Sequence, residues 1–126
     1  MIRIVYLGKN LKTQERLKYI PGHTVKFTST YKDAAEVCTT NLTDEHFIVF
    51  YERSVRNEDL TAITYLRKKF ENLYIILITG PLSSQDRLIY QNCGINDTLD
   101  VDATITEFNK KICFIADREE ILFKKQ

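Results

Sequence analysis

Tyr74-Ile75-Ile76-Leu77-Ile78-Thr79-Gly80 stays apolar from Tyr74 to Ile78 with no polar residue between. A strand with one wet face alternates apolar and polar side chains, whereas a short unbroken apolar run fits a strand covered on both faces, the usual state of a parallel sheet between helical layers. Phe47-Ile48-Val49-Phe50 has the same character. Both runs are expected at the centre of one sheet.

The residues around them repeat a rhythm of short β-branched runs and amphipathic segments. Ile2 to Leu7, Thr24 to Thr28 and Asp97 to Val101 are further strand candidates, beside Phe47 to Tyr51 and Tyr74 to Thr79. Leu11 to Ile20 predicts a short helix stopped by Pro21-Gly22, since proline disfavours helix in the residue before it and glycine tolerates positive φ. Tyr31 to Thr40 predicts a second, with Thr30 as N-cap and Ala34, Ala35, Val37 and Cys38 available for one face. In the third, Asp59 to Phe70, the residues Leu60, Ile63, Leu66 and Phe70 keep the three-four spacing, and Arg67, Lys68 and Lys69 complement the C-terminal end of the helix dipole. Ser83 or Ser84 caps a fourth, with Leu88 and Ile89 inward and Gly94 closing it. A fifth starts after Thr106, and its apolar positions Phe108, Ile112, Ile115 and Leu122 run almost to the chain end, further than one small sheet needs. That helix is expected to carry the connection to a following segment or to a second copy of the chain.

This alternation uses up the 126 residues, so one domain over 1–126 is expected, and its 44% hydrophobic content suits one compact core. The ending Leu122-Phe123-Lys124-Lys125-Gln126 leaves apolar residues on an unfinished helix, as expected of the N-terminal part of a longer protein. Eighteen Lys and Arg against seventeen Asp and Glu give a net charge of +1, which lacks the basic field of nucleic-acid binding. Lys110-Lys111 and Lys124-Lys125 read as solvated helix faces. Met1 to Leu7 is too short for a signal-peptide core and is broken by Arg3, and no later run approaches the roughly 20 apolar residues that cross a bilayer. A cytoplasmic chain without membrane contact is expected. Asn41-Leu42-Thr43 and Asn96-Asp97-Thr98 match the glycosylation pattern, which has no consequence in such a chain. Cys38, Cys93 and Cys113 form no Cys-x-x-Cys pair and are expected to be unpaired and mostly buried.

Gly22-His23-Thr24-Val25, followed by Tyr31-Lys32-Asp33-Ala34-Ala35-Glu36-Val37, resembles the second strand and second helix of the receiver domain of bacterial two-component signalling. Tyr74 to Gly80 is similar to that family's fourth strand with its terminal Thr or Ser, and Gln91-Asn92-Cys93-Gly94-Ile95-Asn96-Asp97 to its passage from fourth helix to fifth strand. The resemblance covers nearly the whole chain. It implies a flavodoxin-like, receiver-like (βα)5 three-layer sandwich with a parallel five-stranded sheet of order 2-1-3-4-5.

A working receiver holds Mg²⁺ on acidic residues after strand one, phosphorylates an Asp at the end of strand three and pairs the phosphoryl group with a Lys after strand five. Mg²⁺ demands oxygen ligands, and the transferring phosphoryl group demands positive charge. Tyr6-Leu7-Gly8-Lys9-Asn10 offers no carboxylate at the first position, so metal binding in the family's mode is expected to be lost and no cofactor is expected. Counting back from Leu60 puts Tyr51 at the acceptor position, and a shift of one residue puts Glu52 there. The Lys-Pro pair falls on Val101-Asp102 and the switch aromatic of strand five on Thr98, which leaves Thr79 as the survivor of the functional set. The degenerate equivalents of the acceptor site are thus Tyr51, Glu52, Thr79 and Val101, with Glu52 expected as a solvated loop residue. The family's face of helix four, strand five and helix five implies Arg87, Tyr90, Gln91, Phe108 and Lys111 as contact candidates.

Other chemistry finds little support. Gly8-Lys9-Asn10-Leu11 is neither a dinucleotide fingerprint nor a P-loop. His23 and His46 fall at strand starts, opposite the edge where α/β sites form, and capping explains Ser83-Ser84-Gln85-Asp86. The sequence implies a non-enzymatic pseudo-receiver whose partner is another protein, a fused output domain or a second copy. An atypical phosphorylatable receiver using Glu52 and a small-ligand sensor are the alternatives.

Overall fold

In the computed structural model, residues 2–39 and 46–124 are described, with side chains over 3–39 and 47–117. Five strands and five helices alternate: β1 (Ile2–Leu7), α1 (Leu11–Lys18), β2 (Val25–Thr28), α2 (Tyr31–Thr39), β3 (His46–Glu52), α3 (Arg56–Lys69), β4 (Tyr74–Thr79), α4 (Ser84–Cys93), β5 (Asp97–Asp100) and α5 (Ile105–Lys124). The strands form one parallel sheet of order β2-β1-β3-β4-β5. Asn41-Leu42-Thr43 lies outside the described residues, as do the side chains of His46, Leu122 and Phe123.

The unbroken apolar runs are the inner strands, and each splits its side chains between two cores. Val5, Leu7, Val49, Tyr51, Ile75 and Leu77 face one layer, built from Ala34, Ala35 and Cys38 of α2, Ala62, Ile63 and Leu66 of α3, and Tyr90 of α4. Ile4, Tyr6, Ile48, Phe50, Ile76 and Ile78 face the other, which holds Leu17 of α1 and Phe108, Ile112 and Ile115 of α5. Phe50 and Phe108 meet edge to face with ring centroids 5.3 Å apart.

Caps set the helix starts. Asn10 accepts from the amides of Lys12 and Thr13, Thr30 from Asp33, Ser83 from Asp86 and Thr104 from Glu107. Gly94 ends α4 at φ 134°, a backbone region that favours glycine, and a β-carbon there would stand 2.9 Å from the Arg67 side chain. Helix α3 starts at Arg56, three residues before the sequence suggests, because Val55 caps it without a side chain and the signal there is weak.

Two packing expectations are corrected. In α4 the inward residue is the fully buried Tyr90, while Leu88, two residues and so about half a turn from it, is 57% exposed and Ile89 is partly buried. Among the cysteines, Cys38 is buried, Cys93 is partly buried and Cys113 is exposed on α5 beside Phe114, on the side away from Ile112 and Ile115. All three are free.

Arg67 fastens the amino-end edge of the sheet. Its guanidinium donates to the carbonyls of Gly94 (2.7 Å), Glu71 (2.9 Å) and Leu73 (2.7 Å) and to Oδ1 of Asn96 (2.7 Å), which also accepts the Ile75 amide. One side chain therefore ties the end of α3 to the start of β4 and to the turn after α4. Arg67→Ala is expected to lower the unfolding free energy by about 2–3 kcal/mol, the usual scale for losing hydrogen bonds to a charged group, and Arg67→Lys is expected to recover less than half of it. Urea denaturation of the three proteins measures both values.

Candidate functional site

In open parallel sheets, sites form outside the carboxyl ends of the strands. Here that edge is made by Leu7, Glu52, Thr79 and Asp100 with the loops that follow them.

Strand β3 runs one residue past Tyr51 and ends on Glu52. Alternation along the strand then sends the two side chains to opposite layers. Glu52 turns toward α1 and is half-buried, not the solvated loop residue the sequence suggests. The Tyr6 hydroxyl donates to Glu52 Oε1 at 3.0 Å and accepts the Asn10 amide at 3.0 Å. The Thr13 hydroxyl, fully buried, lies near enough to stabilise the Glu52 charge but makes no hydrogen bond of ordinary geometry. Arg16 adds positive potential while its Nη1 donates to the Val101 carbonyl at 2.8 Å. Gly8 closes the cluster: a β-carbon built on it would stand 2.5 Å from Glu52 Cβ and 2.7 Å from the Tyr6 hydroxyl.

Tyr51 belongs to a different network. Its hydroxyl donates to Asp59 Oδ1 at 2.8 Å, and the Tyr90 hydroxyl donates to Oδ2 at 2.7 Å. The Ser54 amide completes the set at 3.0 Å, so Asp59, 0% exposed, is satisfied by three donors with no ion pair among the described residues. Burial and the Asp59 hydrogen bond push the Tyr51 phenol far above its ordinary range, and the same two causes push Tyr90 up to about 12, against the pull of Arg53. Arg53 lies 5.8 Å from the Tyr90 ring centre, donates to Thr79 Oγ1 at 3.4 Å and pairs with Asp86 at 3.6 Å. Arg56 also pairs with Asp86, at 3.1 Å.

The four sequence-derived positions therefore split three ways. Glu52 and the Val101 backbone meet through Arg16, Thr79 meets Arg53, and Tyr51 joins Asp59. Tyr6, Thr13, Arg16, Arg53 and Asp59 were missed. Asp59 carried a usable signal, as an acid one residue before the apolar face of a helix, but reads there as an ordinary first-turn charge.

These residues do not fit Mg²⁺. Among the described residues no three His, Cys, Asp or Glu converge, and Glu52 stands at this edge with a phenol and a guanidinium for company. The space beside Gly8 admits no side chain, so a second carboxylate has no place there without displacing Glu52 or Tyr6.

On the α4–β5–α5 side, Tyr90 and Phe108 are each 0% exposed and so cannot present themselves to a partner; both are core residues. Arg87 and Gln91 are exposed, and Lys111 pairs with Asp97. Among the described residues, the exposed large apolar groups of α4 and α5 are instead Leu88 and Phe114, the latter 61% exposed.

No protein-family model and no curated protein matches the sequence. Solved structures do match. A two-component response regulator from Clostridium difficile aligns at TM-score 0.77 and 18% identity, covering 94% of this chain and 98% of that one. The receiver domain of TorR, the TMAO respiratory system response regulator, aligns at 0.77 and 21% identity over 94% of this chain and 98% of its own. The signal receiver domain of an HD domain-containing protein from Pseudomonas fluorescens aligns at 0.72 and 14% identity over 98% and 93%. The chain has the receiver fold over nearly its whole length, with the sheet order the resemblance implies.

Burial lifts the Glu52 carboxyl above the ordinary glutamate range, against the pull of Thr13, Tyr6 and Arg16. A carboxyl with a raised folded pKa holds its proton more tightly in the folded chain than in the unfolded one. Its stabilising effect is therefore full in acid and is lost as pH rises from the ordinary glutamate range through the folded value. Glu52→Gln keeps the shape and stays neutral, so its stability relative to the parent protein is expected to improve as pH climbs through that window. Chemical denaturation of both proteins between about pH 4 and pH 8 reads the difference, and a constant difference would count against the raised value.

Proposed function

We propose that this chain is a receiver-like regulatory domain of the two-component type that works without phosphorylation, as a non-enzymatic docking or dimerisation module in the cytoplasm. The observation that carries this reading is the filled cluster around Glu52. The Tyr6 hydroxyl, the Gly8 backbone and Arg16 take up the surroundings in which a metal and a phosphoryl group would have to sit. Removing one preorganised electrostatic contact typically costs roughly 10²–10³ in rate, and here the metal ligands and the cation after β5 are both missing.

The partner on this reading is another protein, an output domain fused to this one, or a second copy of the chain; this domain itself does not contact nucleic acid. The Pseudomonas fluorescens neighbour, a receiver within an HD domain-containing protein, supports the fused arrangement. The contact face is that of α4, β5 and α5, with Leu88 and Phe114 as apolar anchors, Arg87 and Gln91 beside them and the Lys111–Asp97 pair between β5 and α5. Within the described residues no helix is long and apolar enough to cross a membrane.

The position of Glu52 at the end of β3 favours a second reading, in which Glu52 itself accepts a phosphoryl group. Incubation with acetyl phosphate and Mg²⁺ followed by intact-mass measurement separates the two. No gain in mass is expected. A stoichiometric gain of one phosphoryl group, abolished in Glu52→Gln, would make Glu52 the acceptor.

The contact face has its own test. Sedimentation velocity is expected to show concentration-dependent self-association that Leu88→Asp combined with Phe114→Asp weakens at least about tenfold, while unfolding free energy changes by no more than about 0.5 kcal/mol, as usual for exposed sites. Unchanged association in the double variant would remove this face from the proposal.

A further inference from the structure

The sheet order 2-1-3 places a topological switch point between β1 and β3, where the connections leave in opposite directions and a crevice opens at the carboxyl ends of the strands. On the side facing α2 and α3 this crevice has a volume of about 450 Å³, within the span of small-ligand pockets. Leu7, Tyr51 and Ala62, all buried, form its floor. Tyr31 forms a side wall and the exposed Glu58, in the first turn of α3, stands at the rim.

The formal charge of the lining is one-sided. Tyr31, Tyr51 and Glu58 line the crevice beside the neutral Ser29, Thr30, Asn57 and Thr61, and among the described residues no Lys, Arg or His does. Beneath the floor lies the Asp59 carboxylate, which holds the Tyr51 hydroxyl and has no ion pair among the described residues. Glu58 and Asp59 both act on Tyr51, helping to hold its phenol in the neutral form. A phosphate or carboxylate entering here would meet two negative charges and no compensating cation. A cation would meet both charges beside two tyrosine side chains, groups of the kind that recognise ammonium ions. The outer wall already uses this chemistry: Tyr65 packs on Tyr31 with centroids 5.0 Å apart and carries the Lys69 ammonium 5.6 Å from its own ring centre.

We propose that this crevice binds a small organic cation, an ammonium group carried on a compact apolar body, with the body on Leu7, Tyr51 and Ala62 and the charge between Tyr31 and Glu58. The site lies on the opposite layer from the Glu52 cluster and does not depend on the reading of that cluster given above.

Three probes with one ring body and different charges test it on the full chain: benzylammonium, benzyl alcohol and benzoate, each titrated while the backbone amide NMR signals are followed. Benzylammonium is expected to saturate in the millimolar range, as suits so small a ligand, with the shifts concentrated at Thr30, Tyr31, Glu58 and Thr61. Benzyl alcohol is expected to bind at least roughly fivefold more weakly, and benzoate not to saturate. Glu58→Gln, at an exposed position that leaves the fold intact, is expected to weaken benzylammonium about three- to fivefold, and Tyr31→Leu by a similar factor. Equal or tighter binding of benzyl alcohol or benzoate would overturn the proposal, as would shifts centred elsewhere or a failure of benzylammonium to saturate.

Discussion

Everything at the functional edge follows from how three consecutive side chains leave the end of β3. A strand buried on both faces must send Tyr51 and Glu52 into opposite layers, and both carry polar groups that need partners there. Tyr51 finds Asp59 under α3, Glu52 finds Tyr6 and Arg16 under α1, and Arg53, where the strand has ended, swings over Tyr90 to Thr79 and Asp86. One short stretch thereby fixes α1, α3 and α4 against the sheet.

Each branch explains a residue that otherwise looks out of place. Tyr6 lies in an apolar layer beside Phe50 and Ile76 and is fully buried, yet its hydroxyl accepts the Asn10 amide and donates to Glu52, so the group has two partners. Gly8 is required because the chain passes within contact of both members of that pair. A buried carboxylate such as Asp59 is costly without donors, and two phenols and an amide supply them from β3, α4 and the start of α3. The amino-end edge solves the same problem of unpaired backbone with one cation, Arg67, where the carboxyl-end edge uses a chain of hydroxyls and carboxylates.

The fold was legible because its signals are long. Phe47 to Phe50 and Tyr74 to Ile78 announce strands covered on both faces, the helices between them keep their apolar spacing, and the order of the strands came from the resemblance. The site was legible only in part. Its deciding feature is which of two adjacent residues ends β3, and strand ends are the least certain boundary in a sequence. That single step separates a Tyr51 turned toward α3 from a Glu52 turned toward α1. Two of the contact candidates failed for a related reason. Tyr90 and Phe108 were carried over with the family's face of helix four, strand five and helix five, yet burial depends on the rotation of each helix about its axis. Tyr90 takes the inward position because its hydroxyl reaches Asp59, a partner that is distant in sequence by 31 residues. The polar partners Tyr6, Arg16 and Asp59 each meet their targets only after the chain has folded, so spacing could not reveal them.

A filled edge also constrains how a signal can enter. A ligand or modification shifts a conformational equilibrium only through its different affinity for the two states. A phosphorylated carboxylate achieves this by adding charge that a metal and a cation then read. Around Glu52, Tyr6 donates to the carboxylate, the Asn10 amide to Tyr6, and one N–H of Arg16 to the Val101 carbonyl. Among the described residues, Leu88 and Phe114 on the α4–β5–α5 side are exposed, and a crevice opens beside Tyr31. Helices α4 and α3 are both tied to the end of β3 through Tyr90 and Asp59. In this chain the receiver fold ties its carboxyl-end edge to α3 and α4 through Asp59 and Tyr90, and the function proposed above uses that link with an input that arrives by contact.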